Sequence, residues 1–268
     1  MAHREAVTVP LFGARAWRRP ARALQDANPG VLVALDFDGT LVPVVADPHD
    51  FRVPPSVVRL LRRAAALPGV TIAVVSARRR RDLARLLPVP RLRFAAHYGL
   101  EGAHAPNAAT RRRYRVAAGQ IERMLAPLEA AFPGAVVERK GMTVSIHDRR
   151  VLERRRLRAL HREIAKVERA ARKLGFHAAR GSRVTEFVPD GYDKGEALAW
   201  LRDRTAAGKV FYFGDSEADE PAFAKLRKED FGVRVGPGRT KARYRVRDPG
   251  DVARFLDALI SIRLESAR

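Results

Sequence analysis

Cysteine is absent from the 268 residues. That excludes disulfides, thiolate metal sites and a cysteine nucleophile together, and makes the cytoplasm the expected location. Long apolar runs are missing too. None approaches the roughly 20 residues a membrane span needs, and residues 1–15 lack the charged start and sustained apolar core of a secretory signal. Lysine is scarce, with eight in the chain, yet Lys and Arg together number 52 against 30 Asp and Glu, a formal charge of +22. Such a balance can mark a nucleic-acid surface. Here the arginines are scattered over every segment, with no basic stripe interleaved with aromatics and no DNA- or RNA-binding motif. Nucleic acid and membrane are therefore not expected partners, and attraction of anionic substrates is. The runs Arg78-Arg79-Arg80-Arg81 and Arg111-Arg112-Arg113 read as solvated helix or loop faces, apart from Arg78. An apolar fraction of 46% is ample for a buried core, in one large domain or two smaller ones.

What is present is organised around Val31–Pro43, V-L-V-A-L-D-F-D-G-T-L-V-P. Five apolar residues make a run of buried-strand length, ended abruptly by Asp36 and Asp38. An all-apolar strand reads as a central strand of a parallel sheet, and open α/β sheets place their ligands at the carboxyl ends of such strands. Two acids so close repel, and holding both ionised calls for a counter-charge, most simply a divalent cation with oxygen ligands. Gly39 lets the chain turn, and Thr40 offers a hydroxyl and an N–H to an anion.

The same style recurs along the chain. Ser56 is expected to cap a helix over Val57–Ala66 after the turn signals Asp47-Pro48-His49 and Val53-Pro54-Pro55. Val70–Val75 is a second buried strand, ending at Ser76; a helix over Arg80–Leu87 and a strand near Leu92–Ala96 follow. That alternation implies parallel crossovers and a doubly wound sheet. After about residue 106 the rhythm changes to a helix over Arg115–Ala131, strands at Val136–Glu138 and Thr143–His147, a basic helix over Leu152–Leu174 and a strand at Arg183–Val188. From Gly191 the first style returns, with a helix from Asp193 to about Arg204, a strand at Lys209–Phe213 ending in Gly214-Asp215, a strand at Val233–Val235 and a helix over Val252–Ile262. The expected organisation is an N-terminal extension over 1–28, with a short docking helix in A-W-R-R-P-A-R-A-L. A core over 29–107 and 190–268 follows, with an inserted α+β cap over 108–189.

D-F-D-G-T-L resembles the first motif of the haloacid dehalogenase-like phosphohydrolases. The resemblance sharpens to the trehalose-6-phosphate phosphatase family and extends over nearly the whole chain from about residue 30. It rests on S-A-R at 76–78, G-L-E-G-A-H at 99–104, E-R-K and I-H-D-R in the cap, G-S-R-V-T-E-F-V-P followed by D-K-G, and G-D-S-E-A-D-E-P-A-F. It implies a Rossmann-like α/β core with a C2-type α+β cap, and a Mg²⁺-dependent phosphomonoesterase acting on trehalose 6-phosphate. Asp36 would be the nucleophile and Asp38 the general acid and base, with Thr40, Ser76 and Lys194 around the phosphate. The metal would sit on the Asp36 side chain, the Asp38 carbonyl and Asp215, with Asp219 in or near its shell. Glu138, Lys140 and Glu186 would bond sugar hydroxyls, with Arg78, His147 and Arg149 also on the substrate side. Functional coupling to a trehalose-phosphate synthase is a further implication.

The sequence departs from the family pattern at Ser216, Ala218 and Pro221 in the last motif and at Asp148, where Tyr is usual. These departures leave the nucleophile, proton shuttle and first metal carboxylate in place and bear on which sugar phosphate is used. The alternatives are a phosphatase of mannosyl-3-phosphoglycerate or sucrose phosphate, and a non-catalytic sugar-phosphate-binding or partner module. A binding module has no use for a proton shuttle.

Overall fold

The computed structural model describes residues 8–26, 30–44, 52–102 and 105–266. The expected turn at Asp47-Pro48-His49, the end of the 99–104 loop at Ala103-His104, and parts of the 1–28 segment lie outside the described residues. The chain divides into two compact units, residues 1–104 with 194–268, and residues 105–193.

The first unit contains β1 (Val9–Pro10), α1 (Ala14–Gln25), β2 (Val31–Leu35), α2 (Pro55–Ala65), β3 (Val70–Ser76), α3 (Arg80–Leu86) and β4 (Arg93–Ala96). The second contains α4 (Ala108–Ala131), β5 (Val136–Arg139), β6 (Val144–His147), α5 (Arg154–Arg172), β7 (Phe176–Gly181) and β8 (Val184–Pro189). The first unit then resumes with α6 (Lys194–Thr205), β9 (Lys209–Gly214), α7 (Glu220–Lys225), β10 (Phe231–Val235), β11 (Tyr244–Val246) and α8 (Pro249–Glu265).

Seven parallel strands run in the order β1-β11-β10-β9-β2-β3-β4. β2 is buried along its whole length between β9 and β3, which is why its sequence shows no polar alternation. Its side chains still alternate in direction. Val31, Val33 and Leu35 join a cluster with Leu24 of α1, Leu61 of α2 and Phe255 and Leu259 of α8. Leu32 and Ala34 join another with Leu198 and Leu201 of α6 and Phe223 of α7. Helices on both faces of a parallel sheet make the fold doubly wound. The second unit is an antiparallel sheet, β5-β6-β8-β7, with a core of its own built from α4, α5 and alternate strand residues such as Val144, Ile146 and Phe187.

Several boundaries differ from the expectation. α2 begins at Pro55, preceded by Pro54 with no side-chain cap, so Ser56 lies inside the helix rather than at its N-cap. Proline suits that first turn because its missing N–H needs no partner there. α4 begins at Ala108, well before Arg115, where the Asn107 side chain accepts from the Thr110 N–H at 2.9 Å. Strands β1, β7 and β11 were not expected. β7 reads F-H-A-A-R-G, too polar and too glycine-ended for a strand pattern, and it forms because β8 offers six registered partners. The docking helix of residues 16–24 exists as part of α1, whose Ala23 and Leu24 are buried in the core of the first unit.

Candidate active site

β2 and β9 are neighbours and end level with one another, with Leu35 registered on Phe213 and the Asp36 N–H bonded to the Phe213 carbonyl at 2.9 Å. The residues that follow each strand therefore meet. Asp36 follows β2 and Asp215 follows β9. The turns between them leave no room for side chains. Gly39 has φ +83°, and a Cβ there would stand 2.2 Å from an Asp215 oxygen; one at Gly214 would stand 2.3 Å from the Asp219 carboxyl carbon. Both glycines are set by the packing of acids on backbone, and Gly39 by its left-handed conformation as well.

Asp36, Asp215 and Asp219 bring carboxylate oxygens within 4.8 Å of one another. Lys194, the first residue of α6 and 3% exposed, places Nζ 2.9 Å from Asp36 and 2.8 Å from Asp219. Asp219 is fully engaged. Its Oδ1 also accepts from the Tyr212 hydroxyl at 2.7 Å, and its Oδ2 accepts from the Ser216 N–H and hydroxyl at 2.9 and 2.8 Å.

The titration behaviour follows from one ammonium paired with two buried carboxylates beside a third, half-buried one. Burial alone would lower Lys194, but the charges and hydrogen bonds of Asp219 and Asp36 outweigh it and hold the ammonium well above its ordinary range. Burial would raise Asp219, but Lys194, Tyr212 and Ser216 win and its carboxyl is lowered. Asp36 is raised well above its ordinary value, by burial first and by Asp219 and Asp215 next, against Lys194. Asp215 is pushed up to about 6 by burial and by the Asp219 charge. Tyr212 is raised by burial and by Asp219, so it stays a donor. Three carboxylates and one ammonium leave a formal charge of −2 unmatched, which a divalent cation would match. The residues present fit such an ion.

Asp38 is placed differently. Arg78 Nε and a terminal nitrogen meet its two oxygens at 2.7 Å each, and the guanidinium lies over the Phe37 ring at 5.1 Å. Ser76 is buried, and its hydroxyl accepts from the Arg78 N–H at 3.2 Å. The Thr40 hydroxyl is buried with no hydrogen-bond partner among the described residues.

In the second unit, Glu138, Ser145 and Glu186 are registered abreast on β5, β6 and β8, on the face opposite the apolar residues that meet α4 and α5. Glu186 is buried, accepts from Thr143 at 2.6 Å and pairs with Lys140 at 3.1 Å. Glu138 meets His147 Nε2 at 3.0 Å and lies 3.9 Å from Lys140. One polar cluster thus gathers Glu138, Lys140, His147 and Glu186. Arg149 reaches the Ser182 carbonyl at 3.5 Å.

Three of the departures acquire structural roles. Ser216 bonds Asp219, Pro221 occupies the first turn of α7, and buried Asp148 pairs with His161 at 2.7 Å and Arg183 at 2.8 Å. Three contacts to candidate site residues or their neighbours escape sequence reasoning: Tyr212 on Asp219, Thr143 on Glu186, and Arg234, which donates to the Ser216 carbonyl at 2.9 Å. A signal existed for Tyr212, because a hydroxyl within a buried strand needs a partner.

Comparison with known proteins follows the same lines. The family model described as trehalose-phosphatase matches residues 34–249. An uncharacterized glycosyl hydrolase of Mycobacterium tuberculosis is 32% identical over 256 residues, covering 89% of this chain and 19% of its own length. A bifunctional trehalose-6-phosphate synthase/phosphatase of Thermoproteus tenax is 32% identical over 231 residues, covering 85% of this chain and 32% of its own. A trehalose-phosphate phosphatase of M. tuberculosis is 31% identical over 246 residues, covering 85% and 60%. The chain thus spans between about a fifth and three-fifths of the length of these curated relatives. Among solved structures, the C-terminal domain of the C. albicans trehalose-6-phosphate phosphatase superposes with a TM-score of 0.80 at 19% identity, over 95% of this chain and 99% of that one. That likeness is one of fold.

Proposed function

The chain belongs to the trehalose-phosphatase family, and from that premise we propose that it hydrolyses trehalose 6-phosphate to trehalose and phosphate through an aspartyl-phosphate, with Mg²⁺ at the acidic cluster. The observation that carries this reading is the constellation of buried Asp36, Lys194 and Asp219 with half-buried Asp215 at the carboxyl ends of β2 and β9. A carboxylate nucleophile replaces one difficult hydrolysis by two easier steps. An Asp36 oxygen bonds to phosphorus as the bond to the sugar oxygen breaks, and Asp38 donates the proton that oxygen takes. Asp38 then accepts a proton from water, whose oxygen displaces Asp36 from phosphorus. The two-point pair with Arg78 occupies both Asp38 oxygens, so at least one must be released for this shuttle. Lys194 neutralises the nucleophile and the charge growing on the phosphoryl oxygens, and Thr40 and Ser76 bond those oxygens.

The Asp36 and Asp215 side chains and the Asp38 carbonyl would hold the ion, which supplies neutralisation of the phosphate charge. Asp219, with both oxygens taken by protein donors, acts by orienting Lys194. Chelation is expected to abolish phosphate release, with Mg²⁺ restoring it and Ca²⁺ restoring it poorly because of its larger, looser shell. Undiminished hydrolysis in excess chelator overturns the metal assignment.

The second unit is read as a cap in which Glu138, Lys140, His147 and Glu186 bond the sugar hydroxyls, with Arg78 and Arg149 completing the substrate side. Glu138→Ala and Glu186→Gln are expected to lower kcat/KM for trehalose 6-phosphate by roughly tenfold to a hundredfold, the rate equivalent of ~1–3 kcal/mol for an unsatisfied polar partner. Hydrolysis of p-nitrophenyl phosphate, which has no sugar hydroxyls, should change far less. Equal losses on both substrates would make these residues structural. A phosphate-release screen that includes sucrose phosphate and mannosyl-3-phosphoglycerate tests the substrate, and a clear preference for either of these overturns trehalose 6-phosphate. Coupling to a trehalose-phosphate synthase is part of this reading, supported by the T. tenax relative, whose name joins both activities in one chain. No helix among the described residues is long and apolar enough to cross a membrane.

A further inference from the structure

The amino-terminal edge of the seven-stranded sheet carries a hollow of about 520 Å³ between α1, the start of β9 and the segment leading into β10. Lys209 opens β9, whereas Asp215 follows its far end. Six residues at ~3.3 Å each put roughly 20 Å of strand between the hollow and the acids. It is separate from the site already described.

Its chemistry is cationic. Arg18, Arg19 and Arg22 of α1 and Lys209 line it, with Asp26 and Glu229 as the acids, a formal local balance of +2. Arg18 and Arg22 stand four residues apart, a spacing at which like charges destabilise a helix. Arg18, Arg22 and Lys209 make no ion pair among the described residues, although two carboxylates line the same hollow. Arg19 is fixed, donating to the Lys228 carbonyl and lying over the Phe231 ring at 5.2 Å.

We infer that this hollow binds a doubly charged organic phosphate of small-metabolite size, remote from catalysis. A dianion matches the +2 balance. Arginine forks fit phosphate oxygens two at a time, which a carboxylate ligand exploits less fully with its two oxygens. The volume lies in the range of small-molecule sites and exceeds what a bare phosphate ion would fill.

The test is calorimetric titration of the full chain with three probes: inorganic phosphate, glucose 6-phosphate and AMP. Arg18→Gln/Arg22→Gln is compared with Asp36→Asn and with Arg158→Gln/Arg162→Gln, a matched pair on exposed positions of α5. At least one organic phosphate should bind the wild-type chain more tightly than inorganic phosphate. That binding should weaken at least tenfold in Arg18→Gln/Arg22→Gln and persist in Asp36→Asn and in the α5 pair. Which probe binds tells a sugar phosphate from a nucleotide. If the α1 variant unfolds, Lys209→Gln takes its place. Unchanged affinity in the α1 variant, equal weakening in the α5 pair, loss in Asp36→Asn, or no probe bound below about 1 mM overturns the inference. None of these readouts requires turnover, so they stand or fall apart from the proposed hydrolysis.

Discussion

Asp36→Asn is expected to cut phosphate release at least about 10⁴-fold, because it removes the carboxylate proposed to take the phosphoryl. The same substitution should leave the fold as stable as before or more so. Asp36 is raised well above the ordinary carboxylate range, by burial first and then by Asp219 and Asp215. A raised value in the folded chain means that folding favours the protonated form, so ionising Asp36 costs stability as pH rises past the unfolded carboxylate range. Asparagine keeps the shape and removes that charge. At pH 7.5 in chelator, Tm should therefore hold or rise. Retained turnover would remove the aspartyl-phosphate from the mechanism. A fall of more than about 5 °C would mean that Asp36 is held chiefly for its pairing with Lys194.

What the sequence made legible was whatever is local. β2 shows itself because five apolar residues stop at two acids, and β9 because K-V-F-Y-F stops at Gly214-Asp215. The two strands end level because they are hydrogen-bonded neighbours, and that brings Asp36, Lys194, Asp215 and Asp219 together from distant segments. Edge strands were harder. β1 has two residues and β11 three, and each exists through its registered neighbour rather than through its own pattern. β7 likewise depends on β8.

Within the site, residue types were readable and their partners were not. Arg78 and Asp38 lie 40 positions apart, and their two-point pair depends on how β3 and β2 run side by side. Tyr212 shows in the sequence only that its hydroxyl needs a partner, and the fold decides that the partner is Asp219. Ser216, an apparent loss of a carboxylate, supplies an N–H and a hydroxyl to Asp219. Such substitutions change which atom performs a task, and a one-letter pattern does not record atoms.

Lys194→Met should be the most damaging single change to the fold near this site. The ammonium is 3% exposed and holds two carboxylates at 2.9 and 2.8 Å. Methionine of similar length would fill the space and leave Asp36 and Asp219 buried without their cation. Breaking a buried pair in this way costs about 3–5 kcal/mol, or a fall in Tm of roughly 10 °C for a chain of this size. Hydrolysis should vanish as well. The charge origin of the loss has a signature in pH. Asp219 is lowered in the intact chain against the pull of burial, chiefly by Lys194, so the stability it contributes is present above the unfolded carboxylate range and fades as pH falls through its folded value. Removing Lys194 deletes that contribution and leaves Asp36 and Asp219 buried without a cation, which raises both in the variant. Ionising them costs the variant stability as pH rises past the unfolded carboxylate range, so the gap in Tm between the two chains should be widest near pH 7.5 and narrow toward pH 4 as they take up protons. Lys194→Arg should recover part of the stability while its planar head, larger than an ammonium, leaves the nucleophile misaligned and turnover low. A gap in Tm that stays constant across that pH range would show that Lys194 is retained for packing and that the carboxylates are satisfied without it.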